Sequence, residues 1–197
     1  MSEIGKNFSC NNTGKRRKSD FYETPYSITR HLLDVEEFPL YGVILEPSCG
    51  NGAISEILRE RDYNVIAKDI KNGDDFLLET QKYDAIITNP PFSLAFEFIQ
   101  KAKKLTNYFA LLLPLSYLHG KKRYDTIWTD KEFPLSKIYV FTRYPMLGET
   151  LRTDGKYNTG MMVYAWFVWN KFDKETNKIY WIDNNADVLT KEDKNVI

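Results

Sequence analysis

The chain has 197 residues, enough for one domain with a sizeable buried core. Hydrophobic residues make up 43% of it and charged residues 27%, the balance of an ordinary globular protein rather than a disordered or membrane-embedded one. Lysine and arginine together equal aspartate and glutamate in number, giving zero net charge. That excludes a whole-surface basic field, so any nucleic-acid contact has to be local.

Two cysteines, Cys10 and Cys49, supply no disulfide framework. With His31 and His119 they lack metal-ligand spacing, so no metal site is expected. Neither a run of membrane-span length nor a charged-then-apolar leader is read, and the expected compartment is the cytoplasm of a bacterium or phage-infected host.

Residues 1–20 read as a flexible arm with a basic run, Lys15-Arg16-Arg17-Lys18. A solvated tail and a phosphate-touching arm both remain open for it. Phe21-Tyr22-Glu23-Thr24-Pro25 then leads into a helix, with Thr24 in an N-cap position and Pro25 in the first turn. Ile28, Leu32 and Leu33 fall on one face of that helix, and His31 on its surface.

Val43-Ile44-Leu45-Glu46-Pro47 is a buried strand running into Ser48-Cys49-Gly50-Asn51-Gly52 and a helix from Ile54 to about Arg61. Gly50 and Gly52 let backbone approach a ligand and adopt turn dihedrals closed to other residues. Cys49 reads as a small turn residue. A second strand, residues 63–70, carries Asp69 about twenty residues past the glycines, where an acid can bond a ribose diol. Position 55 is Ser, so the nicotinamide-cofactor fingerprint Gly-x-Gly-x-x-Gly is incomplete.

Tyr83-Asp84-Ala85-Ile86-Ile87-Thr88 is a short buried strand stopped by Asn89-Pro90-Pro91-Phe92. Neither proline can donate to a sheet ladder, and the first restricts Asn89, so the loop is stiff. It holds an amide, a backbone carbonyl at Pro90 and the Phe92 ring. That set suits a flat group bearing an exocyclic amine: two acceptors for its N–H bonds and a ring for its face. Tyr83 follows Asp69 by only 14 positions, so a full helix and an extra strand hardly fit between them.

Residues 93–104 form an amphipathic helix, and Tyr108–Leu115 a buried strand broken by Pro114. The segment 116–130 is read as a loop off a strand's C-terminal edge, with Lys121, Lys122 and Arg123 as candidate nucleic-acid contacts. Lys137–Phe141 is a strand. Residues 143–160 form a loop in which Arg143, Arg152 and Lys156 are candidate target contacts. Met161–Trp169 is an apolar strand, and residues 173–178 look like a hairpin turn into a strand at 179–182. The tail, 184–197, is polar.

Asn89-Pro90-Pro91-Phe92 resembles the catalytic motif of S-adenosylmethionine-dependent amino methyltransferases, especially DNA adenine-N6 methyltransferases. The other motifs follow in the order of that family's γ class: aromatic-Thr-Pro, the Gly-rich turn, Asp69, Asp75-Phe76, then the Asn-Pro-Pro-Phe loop. The closing Tyr164-Ala165-Trp166-Phe167-Val168-Trp169 strand resembles that of small phage- or prophage-encoded members. The resemblance implies an α/β fold: a Rossmann-like class I methyltransferase sheet, mostly parallel with an antiparallel C-terminal strand. Residues 21–183 would form this single domain, its third strand short or absent.

For the cofactor S-adenosylmethionine, the resemblance implies contacts from Phe21, Tyr22, Thr24, Pro25, Glu46, Pro47, Gly50, Gly52, Asp69, Ile70, Asp75, Phe76 and Asn89. Glu46 is expected near the methionine α-amino group, and Asp75 and Phe76 at the adenine, with Asp74 an alternative to Asp75. Asn89, Pro90, Pro91 and Phe92 would be catalytic, acting on an unpaired adenine in DNA. RNA adenine, a protein glutamine amide and a non-catalytic cofactor-binding role in a larger complex stay open as alternatives. Glutamine enzymes of this type usually carry Tyr where Phe92 stands.

Overall fold

The computed structural model describes residues 24–142 and 163–183. The arm with Phe21 and Tyr22, the 143–160 loop with Arg143, Arg152 and Lys156, and the tail therefore lie outside the described residues.

One seven-stranded sheet organises the domain, in the order β2-β1-β3-β4-β6-β5-β7. Its strands are β1 (Val43–Glu46), β2 (Asn64–Ala67), β3 (Ala85–Thr88), β4 (Tyr108–Pro114), β5 (Lys137–Phe141), β6 (Tyr164–Asn170) and β7 (Lys178–Ile182). Strands β2, β1, β3 and β4 are parallel, whereas β6 runs antiparallel between β4 and β5. The expected mostly parallel sheet with an antiparallel strand near its C-terminal end is present.

Side chains alternate between the two faces as the pleat requires. Ile44, Ala85, Ile87, Ala110, Leu112, Trp166 and Val168 point to one layer, where they meet Ile28 and Leu32 of α1 (Tyr26–Val35) and Ile54 and Leu58 of α2 (Ala53–Glu60). Leu45, Ile86, Phe109, Leu111, Phe167 and Trp169 point to the other, against Phe98, Ile99, Ala102 and Leu105 of α3 (Ala95–Leu105). Apolar residues on both faces explain why the central strands read as continuous hydrophobic runs.

The trimmed edge is found. Between β2 and β3 the chain forms only two 3-10 turns, Ile70–Asn72 and Phe76–Leu78, and β2 is the outermost strand on that side. Two local expectations are corrected. Residues 173–178 do not make a hairpin: β7 pairs in parallel with β5, Lys137 to Lys178 through Phe141 to Ile182, rather than with β6. Segment 116–130, expected as a loop, is largely helical. A 3-10 turn at Leu115–Leu118 precedes an α-turn at Lys121–Arg123 and a π-helical turn at Tyr124–Trp128. The physical reason is apolar: Tyr117, Ile127 and Phe133 are buried against the α3 face of the sheet, and coiling brings them there together.

Beyond the site, Glu36 at the end of α1 is 4% exposed and accepts from both Tyr108 and Tyr139 hydroxyls. Lys137 Nζ lies 3.0 Å from each of its oxygens. Burial and the adjoining carboxylate push both tyrosines above their ordinary range. This network ties α1 to β4 and β5 at the edge of the sheet opposite the C-terminal ends of the parallel strands.

Candidate active site

After β1 the chain goes through α2 to β2 on one side, whereas β3 lies on the other side of β1. The C-terminal ends of β1 and β3 therefore flank a topological switch point, where open α/β sheets hold their ligands. Glu46-Pro47-Ser48 leaves β1 there, and Asn89-Pro90-Pro91-Phe92 leaves β3.

The two loops are tied together. Ser48 Oγ lies 2.6 Å from Thr88 Oγ1 and donates to the Asn89 carbonyl at 3.2 Å. Asn89 Nδ2 donates to Thr24 Oγ1 at 3.0 Å, bridging 65 positions of sequence. Thr24 thus departs from its expected use as a helix cap: Pro25 occupies the cap position of α1 with no side-chain cap bond, and the Thr24 hydroxyl holds the Asn89 amide instead. With its nitrogen committed to Thr24, the amide turns its oxygen into the acceptor end. Pro90 is buried, and no described residue donates to its carbonyl. The Phe92 ring is half-buried, 5.7 Å from the Tyr164 ring.

The Gly-rich turn is built around Asp69. One carboxylate oxygen accepts from the Gly50 amide at 2.8 Å, the other from the Lys71 amide at 2.9 Å. The Cys49 amide donates to the Lys68 carbonyl, and Gly52 closes the turn onto the Cys49 carbonyl at 2.7 Å. Gly52 sits at φ +95, a left-handed conformation that L side chains rarely adopt, directly before α2. Asp69 therefore fixes the turn besides standing at the end of β2; each oxygen keeps a second lone pair for a ligand. Burial first, then the charges of Glu46 and Asp69, push the Cys49 thiol up, in keeping with a turn residue rather than a nucleophile.

Glu46 is the most unusual group here. It is 1% exposed, and its Oε2 has no hydrogen-bond partner among the described residues. Burial raises its carboxyl from the ordinary 4.5 to about 8, against the lowering effect of Ser55 and Arg59. A buried acid without a counter-charge is costly unless a ligand supplies one.

Next along the chain, Pro47 lines a cleft of about 250 Å³ together with Lys68, Asp74, Asp75, Phe76 and Glu79. Asp75 spends one oxygen capping its own 3-10 turn, on the Leu77 amide, and Phe76 is buried with its ring 4.7 Å from Phe98. Ile70 is 64% exposed, on the turn that follows Asp69. Lys68 and Glu79 form an ion pair that Tyr83 joins, its hydroxyl donating to Glu79 at 3.1 Å. Lys68 holds the Glu79 carboxyl down at about 2. Sequence reasoning missed Ser48, Thr88, Lys68, Glu79 and Tyr83. The strand alternation that aims Lys68 and Asp69 to opposite sides is the one signal that could have flagged Lys68.

The structure thus brings together Thr24, Pro25, Glu46, Pro47, Gly50, Gly52, Asp69, Ile70, Asp75, Phe76 and Asn89 through Phe92 at one sheet edge. Lys121, Lys122 and Arg123 leave β4 at that same edge. Among the described residues no three His, Cys, Asp or Glu side chains cluster as a metal site would need, and no helix is long and apolar enough to cross a membrane.

The fold is the Rossmann-like methyltransferase fold. A modification subunit described as that of a type I restriction enzyme from Vibrio vulnificus YJ016 superposes with a TM-score of 0.56 at 15% identity, over 90% of this chain and 50% of that one. The M protein of the type I restriction enzyme EcoKI gives 0.53 at 16% identity, over 90% and 53%. The type I restriction-modification methyltransferase subunit from Streptococcus thermophilus gives 0.53 at 11%, over 87% and 51%. The chain therefore spans about half the length of these subunits. No protein-family model matches the sequence, and no curated protein matches it either.

Proposed function

We propose that the chain transfers a methyl group from S-adenosylmethionine to the exocyclic N6 amine of an adenine in DNA. The observation that carries this reading is the Asn89 amide, clamped by Thr24 at the switch point and standing one loop away from the cleft at Pro47.

The residues fit that cofactor. Glu46 has a buried carboxyl oxygen in want of a cationic partner, as an α-ammonium group would be. Gly50 and Gly52 leave room for close backbone approach, Asp69 retains acceptor capacity for a ribose with Ile70 exposed on the turn after it, and Asp75 or Asp74, and Phe76, border the space for a purine. Pro47 forms part of the same wall. When bound, S-adenosylmethionine supplies an electrophilic methyl on a sulfonium.

The chain's own task is to make a poor nucleophile react. An adenine amine is unreactive because its lone pair is delocalised into the ring. The Asn89 amide oxygen and the Pro90 carbonyl accept its two N–H bonds, favour localisation of that lone pair and stabilise the positive charge that develops on nitrogen. Pro90 and Pro91 keep the loop stiff, so little reorganisation accompanies the reaction. Phe92 offers a ring for the base, which has to leave its stack to arrive there. The similarity to type I modification subunits, which carry the same fold on chains about twice as long, supports DNA as the acceptor. It also leaves room for a second reading, in which another chain supplies target recognition.

Incubation of the purified chain with cofactor labelled in its methyl group, on DNA duplex, RNA and glutamine peptide, tests the proposal. Label is expected in DNA adenine. Label confined to RNA or peptide would contradict the acceptor, and label appearing only after a partner chain is added would favour the subunit reading.

A further inference from the structure

The segment after β4 leaves the sheet at the edge that carries Asn89, and the fold treats its three cations differently. Arg123 is turned inward. Its Nη2 donates to the His119 carbonyl, and the guanidinium lies 4.6 Å from the ring of buried Tyr117. Gly120, at φ +129, makes this possible: a Cβ there would come within 2.8 Å of Arg123 Nη2. Arg123 is a latch of the turn.

Lys121 and Lys122 face outward. Lys121 has an 83% exposed side chain, paired with Asp125 at 2.5 Å and 5.6 Å from the Tyr124 ring. Lys122 is exposed, with Nζ 3.9 Å from the ring of Phe96, a first-turn residue of α3 four positions past Phe92. Tyr124 is 57% exposed. Beneath them the π-helical turn sends Ile127 and Trp128 inward, Trp128 stacking 6.1 Å from Phe167 and 6.2 Å from Trp169. Such turns concentrate at functional sites, and here one sets an exposed ring and two ammonium groups on a rigid base.

We propose that Lys121, Lys122 and Tyr124 bind the backbone of a nucleic-acid strand, the ammonium groups on phosphates and the Tyr124 ring on a sugar or base, beside the point where Asn89 meets the acceptor. The assignment rests on the reading of the Asn89 loop as the acceptor site. A flat, exposed ring beside point charges suits stacked, sequence-tolerant binding of a strand. Carboxylates of an acidic peptide are best matched by forked arginine donors, and the arginine of this segment is occupied. Zero net charge makes a local patch the means of attraction available to the chain.

The test is fluorescence anisotropy of the full chain with labelled single-stranded DNA, the matching duplex, RNA of the same sequence and an acidic peptide, across a salt series. The Lys121→Glu/Lys122→Glu variant is expected to lose at least ten-fold in affinity, with the slope of log K against log salt reduced by about two, near one per lost phosphate contact. Lys104→Glu/Lys174→Glu, the same charge change at the opposite edge of the sheet, is expected to bind as the parent does. Tyr124→Ala should weaken single-strand binding with the slope retained. Circular dichroism and thermal unfolding check that each variant is folded. An unchanged slope in Lys121→Glu/Lys122→Glu, or a parent that binds the peptide and no nucleic acid, overturns the assignment. The two readings separate: strand binding with no methyl transfer, even after a partner chain is added, would sink the Asn89 reading alone, whereas transfer with an unchanged slope in the lysine variant sinks this one alone.

Discussion

Replacing Glu46 by Gln should make the protein more stable at alkaline pH and remove the pH dependence of cofactor binding. Glu46 is 1% exposed, with one carboxyl oxygen unpartnered among the described residues, and burial raises it from 4.5 to about 8. A group that holds its proton more tightly in the folded state stabilises the fold fully below the unfolded value. That stability declines as pH climbs past 4.5 and levels off above about 8. At about 1.4 kcal/mol per pH unit, the ionised carboxylate costs at most about 5 kcal/mol, of which about 3 kcal/mol develops between roughly pH 6 and pH 9. The Ser55 bonds and Arg59 offset the burial in part, and Asp69 adds to it. Glutamine keeps the size of the neutral acid and cannot ionise. Urea unfolding at both pH values should show the parent losing stability with rising pH and Glu46→Gln holding steady by comparison. Calorimetry should show S-adenosylhomocysteine, which carries the α-ammonium group, binding the parent about ten-fold more tightly per pH unit up to about pH 8, with a proton released. Parallel pH profiles for parent and variant, in stability and in affinity, would refute the assignment of Glu46 as a carboxyl awaiting a cation.

Two other substitutions probe separate parts of the account. Thr24→Val keeps the shape and removes the hydroxyl that holds Asn89; turnover should fall about ten-fold with cofactor affinity retained, read as a drop in kcat in steady-state assays. Glu36→Ala removes the buried carboxylate shared by Lys137 and the Tyr108 and Tyr139 hydroxyls, leaving them only Asp173 and the Glu37 and Val35 carbonyls, and should destabilise the fold by about 2–3 kcal/mol in urea unfolding.

How much of this was legible in the chain follows from how local each feature is. The Gly50–Gly52 turn and the Asn89–Phe92 loop are each written in one strand–turn sequence, and both were read at the right strand ends. The missing third strand was legible too, since the count of residues from Asp69 to Tyr83 leaves no room for it. Strand partners were not legible. Residues 179–182 read as a strand, but nothing nearby says that β7 crosses to lie parallel with β5 instead of folding back on β6. Segment 116–130 misled because its charges dominate the sequence while two buried apolar residues, Tyr117 and Ile127, set its conformation. Thr24 read as a cap because caps are local. Its bond to Asn89 spans 65 positions, and the Glu36 bonds to Tyr108 and Tyr139 span 72 and 103. Such pairs exist only once the sheet has formed.

The most direct measurement is mass spectrometry of nucleosides from a DNA duplex incubated with S-adenosylmethionine and either the parent or Asn89→Ala. The account predicts N6-methyladenine with the parent and at least a hundred-fold less with Asn89→Ala, whose cofactor affinity stays close to the parent's. Equal methylation by the two proteins would contradict it, as would a parent that binds the cofactor and methylates a different atom.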